Sequence, residues 1–272
     1  MIGAPFPRAN PTAESEGARK VALLWTGGWD STFQLLRLLL LECAEVTPYY
    51  LIDEDRGSTG VELRVIKRIK NRLAELWPAT RELLQPMQFF SVADVPQNPD
   101  ITAAFKGILQ RRFLGTQYEW LARFCESRAI ERIQLCVHRD DKAHAAIENL
   151  VACADPRFPG EYELKPEFGG TDEHTVFRYF SLPLFDFTKT QMQAMAEQNG
   201  WWEIMQMTWF CHRPTPKGQP CGLCNPCRYA IEEGLGWRIP LSRRLAGEMS
   251  REVVKPLKRF ARTCWRYARG RA

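Results

Sequence analysis

The feature that most limits the fold of this chain is a repeated alternation of short apolar runs with helical segments. The apolar runs at residues 21–25 and 47–53 are typical of buried parallel strands. Between them, the Leu-rich residues 31–43 have the length and composition of a crossover helix that packs on a sheet. Such an alternation predicts an open, doubly wound α/β parallel sheet, whose ligands bind at the carboxyl ends of the strands.

The same alternation continues along the chain. Further helices are predicted over residues 60–77, 116–128, 142–154 and 188–199, and further strands over 87–93, 133–138 and 174–182. The helix at 188–199 begins with the capping-box pattern T-x-x-Q and is followed by Gly200 as a stop signal. Residues 157–173 are rich in proline and glycine, so we expect a loop that forms an insertion or a lid.

Composition and charge divide the chain into four parts. We expect residues 1–18, with three prolines and no apolar core, to be disordered, and residues 19–200 to form the α/β domain. Residues 201–236 contain four closely spaced cysteines, and residues 237–272 form a basic tail. The tail holds eleven Lys and Arg against two acids, whereas the whole chain carries +5, so residues 1–236 carry the difference, −4.

The basic tail is predicted to be helical. Apolar residues recur at helical spacing over residues 255–271, with Lys and Arg on the other faces. The simplest interpretation is a terminal helix that docks its apolar stripe on the domain. The alternatives are binding of nucleic acid, of a protein partner or of an anionic membrane surface.

The sequence also predicts the compartment. No stretch approaches the roughly 20 apolar residues of a membrane span, and residues 1–18 do not have the apolar core of a signal peptide. Nine unevenly placed cysteines are not typical of a secreted disulfide scaffold. We therefore expect a cytoplasmic protein without a membrane span, and we count a homodimer among the assemblies open to it.

A glycine pair follows the first predicted strand, in the segment WTGGWDST at residues 25–32. Gly27 and Gly28 allow the backbone to approach an anion closely, and the start of the next helix supplies amide donors. Further donors are the hydroxyls of Thr26, Ser31 and Thr32. The segment is a phosphate cradle in outline, although it is neither a Walker P-loop nor a dinucleotide fingerprint. The alternative is an ordinary strand-to-helix turn in which Asp30 or Ser31 caps the helix.

Four cysteines in the pattern C-x9-C-x2-C-x2-C indicate a metal site. They are Cys211, Cys221, Cys224 and Cys227. Four thiolates complete a tetrahedral Zn²⁺ site and leave no position for substrate, so a structural zinc is predicted. An iron–sulfur cluster is the alternative, because thiolates suit both. His212 is interpreted as a bystander. Cys43, Cys125, Cys136 and Cys153 are expected to be small core residues.

The two motifs together resemble a known family. The pattern [ST]-G-G-x-D-S-T after a first strand resembles the PP-loop of the ATP pyrophosphatase superfamily. With Pro183, Lys189-Thr190 and the C-x9-C-G-x-C-x2-C-R segment that ends at Arg228, residues 20–235 resemble the QueC-like 7-cyano-7-deazaguanine synthase family. The resemblance implies an adenine nucleotide alpha hydrolase-like fold, ATP, Mg²⁺ and a structural Zn²⁺. It also implies adenylation of a deazaguanine carboxylate, its coupling to ammonia and dehydration to the nitrile.

The resemblance implies a role for individual residues. Those that would hold the pyrophosphate of ATP are Thr26, Gly27, Gly28, Ser31 and Thr32. Asp30 would orient the loop or hold Mg²⁺, Asp53 would approach the nucleotide or a metal, and Lys189 would neutralise phosphate charge. Without the resemblance, Asp53 is equally a cap of the following turn and Lys189 a solvated lysine. Residues 138–141 either contact substrate or Mg²⁺, or form a solvated turn in which Asp141 caps a helix.

The chain departs from the family pattern where the base would be read. Residues 114–117 read LGTQ where the family usually has P-G-R-N, with Arg111 and Arg112 as candidate substitutes, and residues 138–142 replace a Y-P-D-C-R run. The first hypothesis is therefore a ligase that adenylates a small carboxylate and couples it to ammonia. The second is a QueC-like enzyme with a macromolecular acceptor, a tRNA base to be thiolated or a protein. The third is a zinc-stapled nucleic-acid-binding protein without catalysis.

Overall fold

The computed structural model describes residues 19–250, which form two compact units. The first unit consists of residues 19–55 and 62–209, and the second of residues 56–61 and 210–250. The expectations for residues 1–18 and for the helix at 255–271 lie outside the described residues. Among residues 19–250, no helix combines the length and apolar composition that crossing a bilayer requires.

The first unit is built on a five-stranded parallel sheet. Its strands are β1 (Lys20–Leu24), β2 (Glu45–Ile52), β3 (Gln88–Ser91), β4 (Ile133–Gln134) and β7 (Phe180–Ser181). Their order is β3-β2-β1-β4-β7, and every neighbouring pair is parallel. The chain runs from β1 outward through β2 and β3, then crosses to the other side of β1 for β4. The predicted doubly wound α/β fold is thus confirmed, with its switch point between β1 and β4.

Helices connect and cover the sheet. They are α1 (Trp29–Leu40), α2 (Thr59–Leu76), α3 (Thr80–Leu83), α4 (Pro99–Arg111), α5 (Gln117–Ser127), α6 (Lys142–Ile147), α7 (Asp172–Phe177), α8 (Lys189–Gln198) and α9 (Trp202–Met207). Most of α1 is buried, as its Leu-rich composition predicts. The predicted capping box of α8 is confirmed, because the Thr188 side chain accepts from Gln191 N and the Gln191 side chain accepts from Thr188 N.

Several segments differ from the prediction, among them the strand predicted over 133–138, of which only Ile133–Gln134 is extended in the sheet. The helix predicted over 142–154 ends at Ile147, because residues 148–150 turn the chain into the antiparallel hairpin β5 (Val151–Cys153) and β6 (Tyr162–Leu164). The predicted loop at 157–173 therefore contains a strand. The strand predicted over 174–182 is mostly α7, whose N-cap Thr171 accepts from His174 N, and only Phe180–Ser181 is extended in the sheet.

The cysteines outside the metal motif occupy mixed environments. Cys125 is fully buried, as predicted, but Cys43 and Cys153 are exposed and Cys136 is half-buried. The core prediction is thus wrong for Cys43 and Cys153. Cys43 lies in the tight turn after α1, with a φ of +49°, and Cys153 lies on the outer strand of the hairpin.

The second unit contains α10 (Asn225–Glu232) and α11 (Leu241–Met249) around the cysteine motif. Gly222, with a φ of +73°, lies against the main chain of Arg243 in α11 so closely that a Cβ atom would overlap the Arg243 carbonyl oxygen. Only glycine fits this position, because it has neither the left-handed strain nor the side-chain volume of other residues.

Candidate functional site

The glycine loop lies at the carboxyl end of β1, beside the switch point of the sheet. Gly28 is the N-cap of α1, and Thr32 N donates to the Gly28 oxygen at 3.0 Å, which closes the first helical turn. Gly27 has a φ of +71°, a left-handed conformation that favours glycine. The loop therefore presents the N-terminus of a 12-residue helix at the sheet edge where α/β proteins bind ligands.

Gly27 also packs against α2. A Cβ atom at this position would lie 3.1 Å from Ile66 Cγ1 and 3.4 Å from Val65 Cγ1. Because Gly27 has no side chain, the loop lies close to α2 at this point.

The three hydroxyls of the loop have different surroundings. Thr26 is exposed, and its backbone N–H donates to Ser31 Oγ at 3.4 Å. Thr32 is fully buried, and its Oγ1 accepts from the Trp25 indole N–H at 3.0 Å. Of the three hydroxyls, that of Thr26 is the most accessible to an anion. The Thr32 hydroxyl instead links the two ends of the loop through its hydrogen bond with Trp25.

Asp30 is the centre of a charged cluster. Its Oδ2 lies 3.6 Å from Lys189 Nζ, at the start of α8, and its Oδ1 lies 3.8 Å from Nε2 of the buried His138. Asp140 N donates to His138 Nδ1 at 3.2 Å, and Asp140 Oδ2 accepts from Lys189 N at 3.2 Å. Asp30 Oδ1 is buried and accepts no hydrogen bond from the residues that the structure describes. Residues that follow β1, β4 and β7 thus lie together around the Asp30 carboxylate.

Asp53 and Asp141 make the contacts that their structural interpretations predict. Asp53 Oδ1 accepts from Asp55 N at 3.2 Å, which stabilises the turn after β2. Asp141 caps α6 by accepting from Ala143 N at 2.8 Å, and it also accepts from Tyr118 Oη. Burial, together with the nearby Asp141, raises the pKa of Tyr118 well above its usual value.

The arginines named as substitutes for the missing family residue are engaged elsewhere. Arg111 forms ion pairs with Asp172 at 2.8 Å and Glu173 at 3.0 Å, and these hydrogen bonds raise its pKa. Arg112 donates to the Ala145 carbonyl oxygen. In the structure Arg111 thus links α4 to α7, and Arg112 links the end of α4 to α6.

A buried polar network lies behind the loop, and sequence reasoning missed it. Gln34 donates to Gln134 at 2.9 Å, Gln134 donates to Glu161 at 3.3 Å, and Ser181 also donates to Glu161. Arg37 donates to Gln34 at 2.9 Å, and burial lowers its pKa. The sequence contained a sign of this network. A glutamine within a Leu-rich helix and another within a short apolar strand are both expected to be buried, and buried amides need hydrogen-bond partners.

Cys136 follows β4, two residues after Gln134. Burial and the charge of Asp30 raise its pKa well above the usual value, although Arg37 acts in the opposite direction. The thiol is therefore protonated at neutral pH, which does not suit a nucleophilic sulfur carrier.

The four motif cysteines converge in the second unit. Their Sγ atoms all lie within 4.8 Å of one another, with Cys224 3.5 Å from Cys227 and 3.8 Å from Cys211. Four sulfurs on one tetrahedral ion with metal–sulfur bonds of about 2.3 Å are separated by about 3.8 Å. A four-iron cluster places each thiolate on a different corner of a cube and needs wider spacing. The chemistry and spacing of these donors therefore fit a single ion.

Backbone amides and mutual hydrogen bonds stabilise negative charge on these sulfurs. Cys221 N donates to Cys211 Sγ at 3.2 Å, and Cys224 N donates to Cys221 Sγ at 3.3 Å. The side-chain hydrogen bond with Cys224 and burial raise the pKa of Cys211 to about 12, whereas the side-chain hydrogen bonds with Cys211 and Cys227 lower the pKa of Cys224. Without a metal, therefore, not all four thiols are ionised. A bound divalent cation would favour ionisation of the thiols that remain protonated.

Comparison with known proteins adds similarity to solved structures. No protein-family model matches the sequence, and no curated protein matches it. Among solved structures, the chain is similar to the U34-tRNA thiolase NcsA from Methanococcus maripaludis with its 4Fe-4S cluster, at 15% sequence identity and a TM-score of 0.40. The match covers 88% of this chain and 74% of the thiolase chain. The α/β assignment itself is carried by the parallel strand order of the first unit.

Proposed function

We propose that this chain is an ATP-dependent enzyme of the PP-loop type, which transfers an adenylyl group to an acceptor oxygen and releases pyrophosphate. One observation carries the proposal. The glycine loop at the N-terminus of α1 lies at the switch point of the sheet, and Asp30 within it faces Lys189 from a distant part of the chain. A helix N-terminus with an adjacent cation suits a polyphosphate.

In this proposal the loop binds the phosphates of ATP and the charged cluster neutralises their charge. The amides that follow Gly27, with the Thr26 and Ser31 hydroxyls, hold the pyrophosphate portion of ATP. Lys189, which pairs with Asp30 in the structure, offsets the charge that builds on the leaving pyrophosphate. His138 lies on the other side of Asp30, with its Nε2 3.8 Å from Asp30 Oδ1. Catalysis then rests on positioning and charge, without a covalent enzyme nucleophile.

Asp30 and Asp140 are the carboxylates that would hold Mg²⁺ here, since this ion prefers oxygen ligands and binds proteins through one or two carboxylates. When bound, Mg²⁺ would neutralise phosphate charge. Asp53 is a further candidate at the end of β2.

For the acceptor, the family resemblance favours a small carboxylate, 7-carboxy-7-deazaguanine, with ammonia as the second substrate. A carboxylate oxygen attacks the α-phosphorus, the bond to the bridging oxygen breaks, and pyrophosphate leaves with that electron pair. Ammonia then attacks the acyl carbon and AMP leaves, which forms the amide. A second adenylation, on the amide oxygen, followed by loss of AMP and protons, yields the nitrile. The alternative acceptor is macromolecular, a tRNA base or a protein group, and the departures at residues 114–117 and 138–142 favour it.

ATP–pyrophosphate exchange tests the proposal directly. The unmodified protein should catalyse exchange with a suitable carboxylate, and Lys189→Met and Asp30→Asn should each lower the rate about 10²- to 10³-fold. Lys106→Met, which removes an exposed lysine from α4, is the matched control and should stay within about twofold. Exchange with a different carboxylate would exclude the deazaguanine acid and keep the class. Absence of exchange and of pyrophosphate release with any small acid or RNA would contradict the proposal.

We also propose that the four cysteines hold a structural Zn²⁺. Protein purified without added metal should contain about one zinc per chain and no acid-labile sulfide. Cys224→Ser should lower the zinc content and destabilise the second unit, whereas Cys43→Ser, at an exposed cysteine, should change neither. Stoichiometric iron and sulfide in anaerobically purified protein would refute zinc in favour of a cluster.

A further inference from the structure

An exposed face of α2 carries four cations and defines what we name the α2 basic face. Its residues are Arg64, Lys67, Arg68 and Lys70, all exposed. Within residues 19–250, no carboxylate forms an ion pair with any of the four. Positions 64, 67 and 68 have the i, i+3, i+4 spacing of side chains that are neighbours on a helix, about 5–6 Å apart at Cβ.

Several other cations of the first unit, including Arg72 near the end of α2, are paired with acids. On α5, Arg123 pairs with Glu119 at 3.0 Å, and on α4, Arg111 pairs with two acids of α7. The acids of α2 itself are committed elsewhere. Glu62 is buried and accepts from Tyr50 Oη, while Glu75 pairs with Arg72. A solvated helix of a slightly acidic body would be expected to intersperse its charges, so the uncompensated face calls for an anionic partner.

The cationic surface continues beyond α2. A cavity of about 260 Å³ between α2 and α3 is lined by Lys70 and Arg81, together with Thr80 and Glu82. Arg81 is exposed and, like the α2 cations, forms no ion pair among the described residues. Cations thus extend from the α2 basic face to a second helix, as a contact with a long polyanion requires.

We propose that the α2 basic face binds the phosphate backbone of RNA. Exposed Lys and Arg that lack acidic partners are the electrostatic footprint of a nucleic-acid surface. An anionic membrane would call for apolar side chains that insert beside the cations, but Val65, Ile66 and Ile69, the apolar residues that lie between the four cations in the sequence, are buried. A protein partner would call for an exposed aromatic or aliphatic anchor among the four, and the face has none. The inference does not depend on adenylyl transfer.

Fluorescence anisotropy of the full-length protein with a labelled RNA stem-loop of mixed sequence tests the proposal. The variant Arg64→Gln/Lys67→Gln/Arg68→Gln should lose about tenfold or more in affinity at moderate salt. Because three phosphate contacts disappear, the slope of log affinity against log salt should fall by about 2 to 3. The matched control Lys20→Gln/Lys106→Gln/Lys217→Gln removes the same charge from exposed lysines elsewhere and should lose less than about twofold.

Three outcomes would overturn the proposal. Equal losses in both triple variants would mean that net charge alone attracts RNA. Unchanged affinity in the basic-face variant would assign RNA binding to other residues. Binding to phosphatidylserine vesicles, abolished by the same substitutions while RNA binding persists, would assign the face to a membrane. All six sites are exposed, so circular dichroism should report unchanged folding, and ATP–pyrophosphate exchange with a small acid should persist in both variants.

Discussion

Gly27 provides a test of how tightly the loop is built. Replacing it by alanine adds a Cβ atom in the left-handed region, which costs about 1–2 kcal/mol for an L-residue. The same atom would lie 3.1 Å from Ile66 Cγ1, so α2 or the loop has to shift, and such overpacking adds about 1–3 kcal/mol. Gly200 is the matched control, because its φ is +73° but nothing lies within 4 Å of its Cβ position.

We therefore expect Gly27→Ala to lower the free energy of unfolding by about 2–5 kcal/mol and Gly200→Ala by about 1–2 kcal/mol. Urea denaturation measures both values, and equal m-values would show that the unfolded states are comparable. Calorimetric titration with ATP and Mg²⁺ supplies the functional readout. Only Gly27→Ala should weaken binding, because the amides that follow Gly27 move with the loop.

Equal destabilisation by the two alanines would refute the packing argument, since both glycines have the same backbone strain. Unaltered ATP affinity in Gly27→Ala, despite the expected destabilisation, would show that the loop does not bind the nucleotide.

Three further predictions concern other parts of the chain. Gly222→Ala should lower both metal content and thermal stability, while Gly218→Ala, at a φ of +70° with open space, should cost only about 1 kcal/mol of unfolding free energy. With iodoacetamide near neutral pH, mass spectrometry should find Cys43 labelled and Cys125 unlabelled, because burial raises the pKa of Cys125 to about 12. The hydrogen bond to an aspartate and burial raise the pKa of Tyr162 to about 12, so ultraviolet titration of Tyr162→Phe should lose one tyrosine step near pH 12.

The sheet was predictable because buried parallel strands and amphipathic helices have clear periods. The strands at 21–25 and 47–53 and the helix at 60–77 were each placed within about two residues of the observed elements. Helix α4 was missed although Asn98 caps it, Pro99 begins it and its apolar residues recur at helical spacing. The hairpin at β5 and β6 was not readable, since each strand has only three residues and its partner is set by tertiary contacts.

The site was predictable where it depends on topology and unpredictable where it depends on side-chain contacts. The family resemblance gave Lys189 a role in neutralising phosphate charge, which stays a prediction, and in the structure Lys189 Nζ lies 3.6 Å from Asp30 Oδ2. That Thr32 bonds to Trp25 inside the protein depends on rotamers that no spacing reveals. Charge summed by segment also concealed the α2 basic face, because buried and paired acids elsewhere in the body cancel its cations in the total.

The basic-face variant separates the two acceptor proposals. If the acceptor is a small carboxylate, exchange needs only the loop and the charged cluster, so the triple variant should retain both kcat and KM. If the acceptor is RNA, the α2 basic face binds the RNA backbone equally well in the ground state and in the transition state of the reaction. Its loss should then raise KM for RNA about tenfold and leave kcat unchanged. Pyrophosphate release measured against RNA concentration distinguishes these cases. A fall in kcat at unchanged KM would contradict both, because it would place the cations of α2 in the chemical step.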